Sequence, residues 1–117
     1  MIVYGGQDDK RKSLNDTICL DLENYEWFKP SMTSASENPG SLSHFSLTPV
    51  YKKDAINNTA KTIYEVEAGT SENFLRGHSG IYLIGGIEKG DIINESVWRL
   101  SITKNSVSGP RFKWEKC

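Results

Sequence analysis

The sequence predicts an all-β fold built from small antiparallel sheets stacked face on face. Three observations carry that prediction. An apolar run opens the chain as MIVY and another stands at 81–84 as IYLI. Both run into a glycine pair, Gly5-Gly6 and Gly85-Gly86, so one pattern is written twice at an offset of 80 residues. At the same offset, Thr17-Ile18-Cys19-Leu20-Asp21-Leu22 falls on Val97-Trp98-Arg99-Leu100-Ser101-Ile102. The second, fourth and sixth positions are apolar in both hexamers, the period-two alternation of a strand with one buried face. Each copy then reaches a Trp flanked by charge, in YEWFKP around Trp27 and FKWEKC around Trp114.

The elements follow in order. MIVY and IYLI are apolar at every position, as strands covered on both faces are. Gly-Gly at the strand end gives the backbone its freedom and removes two Cβ atoms where chains approach closely. A polar loop, the alternating strand, a turn and the Trp strand complete each copy. The second copy has a longer stretch before its Trp, filled by TKNSVSG and read as a longer hairpin loop. A repeat this small cannot hide both faces of its own sheet, and stacking on its neighbour does so.

The glycine doublets (Gly5, Gly6, Gly85, Gly86) together with Trp27, Trp98 and Trp114 resemble the hallmarks of the kelch repeat: a hydrophobic strand ending in Gly-Gly and a Trp further on. IYLIGG…NESVWRLSI…FKWEK carries the resemblance, and so does MIVYGG…NDTICLDLENYEWFKP. The resemblance implies a kelch-type β-propeller fragment with four-stranded antiparallel blades, strands a to d. Residues 2–5, 17–22 and 26–29 would be strands b, c and d of a first, incomplete blade, so 1–30 is one unit. Residues 31–41 are an inter-blade loop, crowded with Ser, Thr, Asn, Pro and Gly. Residues 42–117 form the second blade, with strands at 81–85, 97–102 and 112–116 and a long insertion at about 51–79. Its strand a is placed at 42–50, where Pro49 suits an edge strand, in preference to the alternating TIYEVEA at 62–68. Propellers close with four to eight blades. Further blades of the same longer chain are therefore expected, in preference to self-assembly of several chains.

Composition narrows the function. With 14 Lys+Arg against 15 Asp+Glu, no global field favours nucleic acid or an anionic membrane, and no transmembrane stretch can be drawn. Two cysteines, Cys19 and Cys117, read as free thiols in a reducing compartment, which gives an intracellular, cytoplasmic location. Three N-x-S/T sequons, at Asn15, Asn57 and Asn94, are the one sign of secretion.

Motifs that suggest chemistry fail on their context. GGIEKG would need a helix N-terminus behind it to hold phosphate, and a strand pattern follows instead. RGHSGI at 76–81 lacks the last glycine of a nucleophile elbow, and Ser79 precedes a strand. His44 and His78 are the two histidines and neither shows zinc-ligand spacing. No catalytic residue, metal or cofactor is expected. The Trp residues read as inter-blade packing.

The function expected is thus a non-catalytic protein–protein interaction module, a kelch-repeat scaffold or adaptor. The alternatives are a fragment of a propeller enzyme resembling galactose oxidase and a secreted glycan-binding propeller. In the kelch arrangement the loops between strands b and c gather on one face with the blade connections, here 7–16, 31–42 and 87–96. They carry the candidate binding residues Asp8, Asp9, Lys10, Arg11, Lys12, Glu88, Lys89 and Asp91, charges suited to steering a protein partner. The insertion would project on the opposite face.

Overall fold

A computed structural model describes residues 1–50, 79–105 and 109–117. Among these residues the fold is all-β, with no helix, and every sheet is antiparallel. The first sheet is β1 (Ile2–Tyr4), β2 (Thr17–Leu20) and β3 (Trp27–Phe28), in that order. The second takes β4 (Ser46–Val50), β5 (Gly80–Ile84), β8 (Val97–Asn105) and β9 (Gly109–Lys116), ordered β4-β5-β8-β9. Between β5 and β8 a two-stranded hairpin is made by β6 (Ile87–Glu88) and β7 (Ile92–Ile93). The insertion at 51–79, including 62–68, lies outside the described residues except for Ser79.

The repeat holds down to the hydrogen-bond register. Ile2 pairs with Cys19, Val3 with Ile18 and Tyr4 with Thr17. At the 80-residue offset, Tyr82 pairs with Arg99, Leu83 with Trp98 and Ile84 with Val97. Leu20 pairs with Trp27 in the first sheet as Leu100 pairs with Trp114 in the second.

Cross-strand partners share a face, and so each sheet has two. One face of the second sheet carries Leu83, Trp98, Leu100, Phe112 and Trp114, all buried, with Leu47, Ile81 and Ile102 packed at its margin. It meets the face of the first sheet that carries Ile2, Tyr4, Thr17 and Cys19. Trp114 is 1% exposed; its ring stands edge-on to Tyr4 at 5.1 Å and its Nε1 donates to Thr17 Oγ1 at 3.0 Å. Cys19 is a buried free thiol, and burial pushes its pKa up. The Tyr4 hydroxyl donates to the Gly40 carbonyl at 2.6 Å, and burial first, then the nearby Asp16 charge, holds the phenol well above its ordinary pKa.

Several expectations need correction. The alternating face of the first copy, Ile18, Leu20 and Leu22, is not buried as its counterpart is: Leu22 is 60% exposed and Trp27 59%. No second sheet covers that face among the described residues. Among the described residues Trp27 packs against no second sheet, whereas Trp98 and Trp114 do. Strand β2 also stops at Leu20, short of 22, because the Asp21 carboxylate accepts from Glu23 N at 2.8 Å and turns the chain. Conversely, β8 and β9 run on through much of the expected loop, pairing as far as Asn105 with Gly109.

The 31–41 connection contains no helix and is not idle. Phe112 N donates to Ser31 O, Thr33 N to Phe112 O, Glu37 N to Trp114 O, and Trp114 N to Ser36 Oγ, each at 2.8–2.9 Å. These bonds cap the free edge of β9, which would otherwise present an unpaired ladder. The chain then crosses to β4, the opposite edge of the same sheet, where the exposed Pro49 forfeits no ladder bond of a central strand.

Candidate functional site

The glycine pairs release the chain from β1 and β5 into two hairpin loops of the same design. Gly5 and Gly86 are the tight positions: both have positive φ, and a Cβ on Gly5 would stand 2.6 Å from the Leu42 carbonyl oxygen. On Gly86 it would stand 2.9 Å from Phe45 Cβ. Only glycine meets both demands. Gln7 then bridges Ser13 in the first loop as Ile87 pairs Ile93 in the second. Arg11 and Asp91, equivalent at the offset, both have φ of 60°. Leu14 N donates to Gly6 O and Asn94 N to Gly86 O, each at 2.9 Å.

Residues 41–43 join the two loops. Gly6 N donates to Leu42 O at 2.9 Å and Leu42 N to Leu14 O at 3.1 Å. On the other side Ser43 N donates to Ile87 O at 3.1 Å and Ile87 N to Ser43 O at 2.8 Å. Fixed to this common floor, the tips enclose a cleft of about 420 Å³. Arg11 and Lys12 line it from the first loop, Glu88, Lys89 and Asp91 from the second, and Ser41 and Ser43 from between. All five charged residues are exposed, and among the described residues none makes an ion pair.

The structure thus brings five of the eight candidate residues to one place. Asp9 and Lys10 are exposed on the first loop but do not line the cleft. Asp8 does not line the cleft, and its Oδ1 accepts from Lys10 N at 2.9 Å and Lys12 N at 2.8 Å. That carboxylate holds the turn together. Sequence reasoning missed Ser41 and Ser43, which carry no charge pattern, and it missed Ile92 and Ile93. These two isoleucines are 60% and 73% exposed on β7 beside the cleft. Their signal was a pair of apolar residues inside a segment read as a polar loop.

The remaining motifs resolve locally. Gly86 leads into β6, so no helix N-terminus faces the glycine loop. Ser79 is fully buried, which places its hydroxyl out of reach of a substrate and makes it more than a surface turn residue. His44 is exposed, with Nδ1 2.9 Å from Ser43 Oγ, and His78 lies outside the described residues. Asn94 is 4% exposed, and its amide donates to Gly85 O at 2.8 Å and Ser96 O at 3.0 Å. That sequon is closed in the folded chain. Asn15 is exposed and Asn57 lies outside the described residues. Among the described residues no three His, Cys, Asp or Glu side chains gather as a metal site would need, and no helix is long and apolar enough to cross a membrane.

No family model matches the chain, and no solved structure matches it. A 39-residue stretch, 33% of this chain, is 44% identical to a dynein regulatory complex subunit 7 of Chlamydomonas reinhardtii. The match spans about 3% of that protein's length.

Proposed function

We propose that this chain supplies two sheets of a kelch-type β-propeller and works as a non-catalytic protein-interaction module, a scaffold or adaptor of the cell interior. Two things support the propeller reading. The register of β1-β2-β3 recurs in β5-β8-β9, and the sheets pack face on face with a connection crossing from the last strand of one to an edge of the next. Two free cysteines support the compartment proposed.

The observation that carries the binding reading is the pair of loop tips held on one floor. A protein partner would meet unpaired charges of both signs around the cleft and two bare isoleucines at its side. Apolar contact gives such an interface its affinity, and the charges set orientation and rate. Three cations and two anions on the cleft wall give no stripe of one sign for a nucleic-acid backbone.

The test is capture of partners by the chain and by a loop variant combining Arg11→Glu, Lys12→Glu, Ile92→Ser and Ile93→Ser. The variant should lose the partners bound by the parent while its melting temperature stays within a degree or two, because all four side chains are exposed. Retention of every partner by that variant, with loss on deletion of 54–76, would place the binding face elsewhere. Asp8 is left intact, since its carboxylate organises the turn.

A further inference from the structure

The two loop tips repeat each other in backbone but not in charge. Arg11 and Asp91 hold equivalent places at the 80-residue offset, both with φ of 60°. Aspartate adopts that left-handed geometry readily, whereas a long side chain seldom does. The first loop thus keeps a guanidinium where the backbone favours a short polar residue. Along the cleft, the first wall carries two cations, Arg11 and Lys12, and no anion. The second carries two carboxylates, Glu88 and Asp91, with Lys89 between them. Asp8 and Asp9, the acids of the first loop, do not line it. The signs are sorted by wall. The common floor of residues 41–43 fixes both loops, and among the described residues none of these five side chains pairs with another.

We propose that the cleft takes a protein segment of dipolar charge. A carboxylate of the partner meets Arg11 and Lys12, an ammonium or guanidinium meets Glu88 and Asp91, and an apolar side chain lies over Ile92 and Ile93. This rests on the loop tips being a binding surface and adds which partner they select. Charge complementarity decides the choice. A doubly acidic segment would set one carboxylate against Glu88 and Asp91, and a doubly basic one would set a cation against Arg11 and Lys12. Either mismatch brings like charges together as the cleft loses water, which selects against that partner. The cleft, of about 420 Å³, falls within the roughly 300–1,000 Å³ of ligand pockets. Its walls and floor are all described residues, and it lies among the loops rather than on a sheet face. A further sheet stacked on either side of the pair therefore leaves it formed.

The experiment is a ligand-observed NMR titration of the full-length protein with four end-capped peptides. All share a Ser-Ile-Ser scaffold, flanked by Glu and Lys, by two Glu, by two Lys or by two Gln. The parent should bind the Glu/Lys peptide about fivefold tighter than any other at low salt, and added salt should shrink that margin. Reversing the first wall with Arg11→Asp and Lys12→Glu should move the preference to the two-Lys peptide. Reversing the second with Glu88→Lys and Asp91→Arg should move it to the two-Glu peptide. The variant carrying all four changes keeps the parent's composition and net charge with the walls exchanged. It should return to the Glu/Lys peptide, bound the other way round. Arg11→Asn with Lys12→Gln is a milder first-wall change, after which the Glu/Lys peptide should lose its margin over the two-Lys peptide. Unchanged melting temperatures verify folding. Four peptides that bind alike, a preference that ignores the reversals, or no binding at all would overturn the proposal. Partner loss by the variant combining Arg11→Glu, Lys12→Glu, Ile92→Ser and Ile93→Ser would then still uphold the cleft as a binding surface, so the two readings fail separately.

Discussion

The first and second sheets share one register and differ in what is buried. Trp27 and Trp114 occupy the same position, each opposite a leucine of the neighbouring strand, yet one is 59% exposed and the other 1%. Ile18 and Leu20 are half-buried where Trp98 and Leu100 are buried. The difference teaches that the repeat dictates pairing, whereas burial depends on whether a second sheet lies against that face. A strand pattern records the face a residue points to; it does not record what stands there.

The sharpest way to break this comparison is to truncate both tryptophans. Trp114→Ala removes a ring packed on Tyr4 and the hydrogen bond to Thr17 Oγ1. It should cost about 3–5 kcal/mol, the usual loss for a buried aromatic. Trp27→Ala, measured in dilute monomer, should cost less than about 1 kcal/mol, as surface changes do. Urea unfolding of the two variants against the parent gives both numbers. Equal losses would mean that the outer face of the first sheet is covered in solution by something within the chain.

The glycine pairs sharpen the comparison at a smaller scale. Gly85 and Gly86 both have positive φ, but a Cβ on Gly85 would meet nothing within 4 Å, whereas on Gly86 it meets Phe45 Cβ at 2.9 Å and Ser43 O at 3.0 Å. Gly85→Ala should cost roughly 1–2 kcal/mol, the price of a left-handed alanine. Gly86→Ala should add roughly 1–3 kcal/mol for overpacking against atoms that cannot rotate away. In the first sheet the order reverses: Gly5 is the crowded member and Gly6 has open space. Paired thermal melts of the four alanine variants would show both orders, and equal losses within each pair would remove the close-approach argument.

Much of the fold was legible from the sequence, because period-two alternation and a duplicated Gly-Gly are local signals. The antiparallel strands expected at 17–22, 97–102 and 112–116 followed from them, and they stand at Thr17–Leu20, Val97–Asn105 and Gly109–Lys116. The asymmetry between the sheets did not, since Ile18-x-Leu20 and Trp98-x-Leu100 read alike whether or not a neighbour is present. The cap formed by 31–37 on β9 was hidden as well: it is made by backbone groups and the Ser36 hydroxyl, which leave no hydrophobic pattern. For the site, charge marked the two loops but could not show that Asp8 Oδ1 is consumed by its own turn. Nor could it show that Leu42, through its backbone, draws the first loop toward the second.

The smallest expected effect tests the outer face of the second sheet against its counterpart. Arg99 and Glu115 are cross-strand partners joined by an ion pair, with Arg99 Nε 2.8 Å and Lys113 Nζ 3.0 Å from the Glu115 carboxylate oxygens. The equivalent pair in the first sheet is Cys19 and Phe28, which carries no charge. Hydrogen bonds from Arg99 first, then from Lys113, hold the Glu115 carboxyl below the usual range against the opposing pull of partial burial. A folded pKa below the unfolded value adds stability that is complete above the unfolded value of about 4.3 and fades as pH falls through the folded one. Glu115→Gln should therefore lower stability at pH 7 by at most about 1 kcal/mol, as a partly exposed pair does. Below about pH 4 that difference should shrink toward zero, because the parent's own carboxyl then takes up a proton. Cys19→Ala should show no such convergence at low pH, since no carboxylate stands at the equivalent place. Urea unfolding of dilute monomer at pH 7, 5 and 3.5 checks both; a Glu115→Gln loss independent of pH would mean that the side chain acts by packing and not by charge.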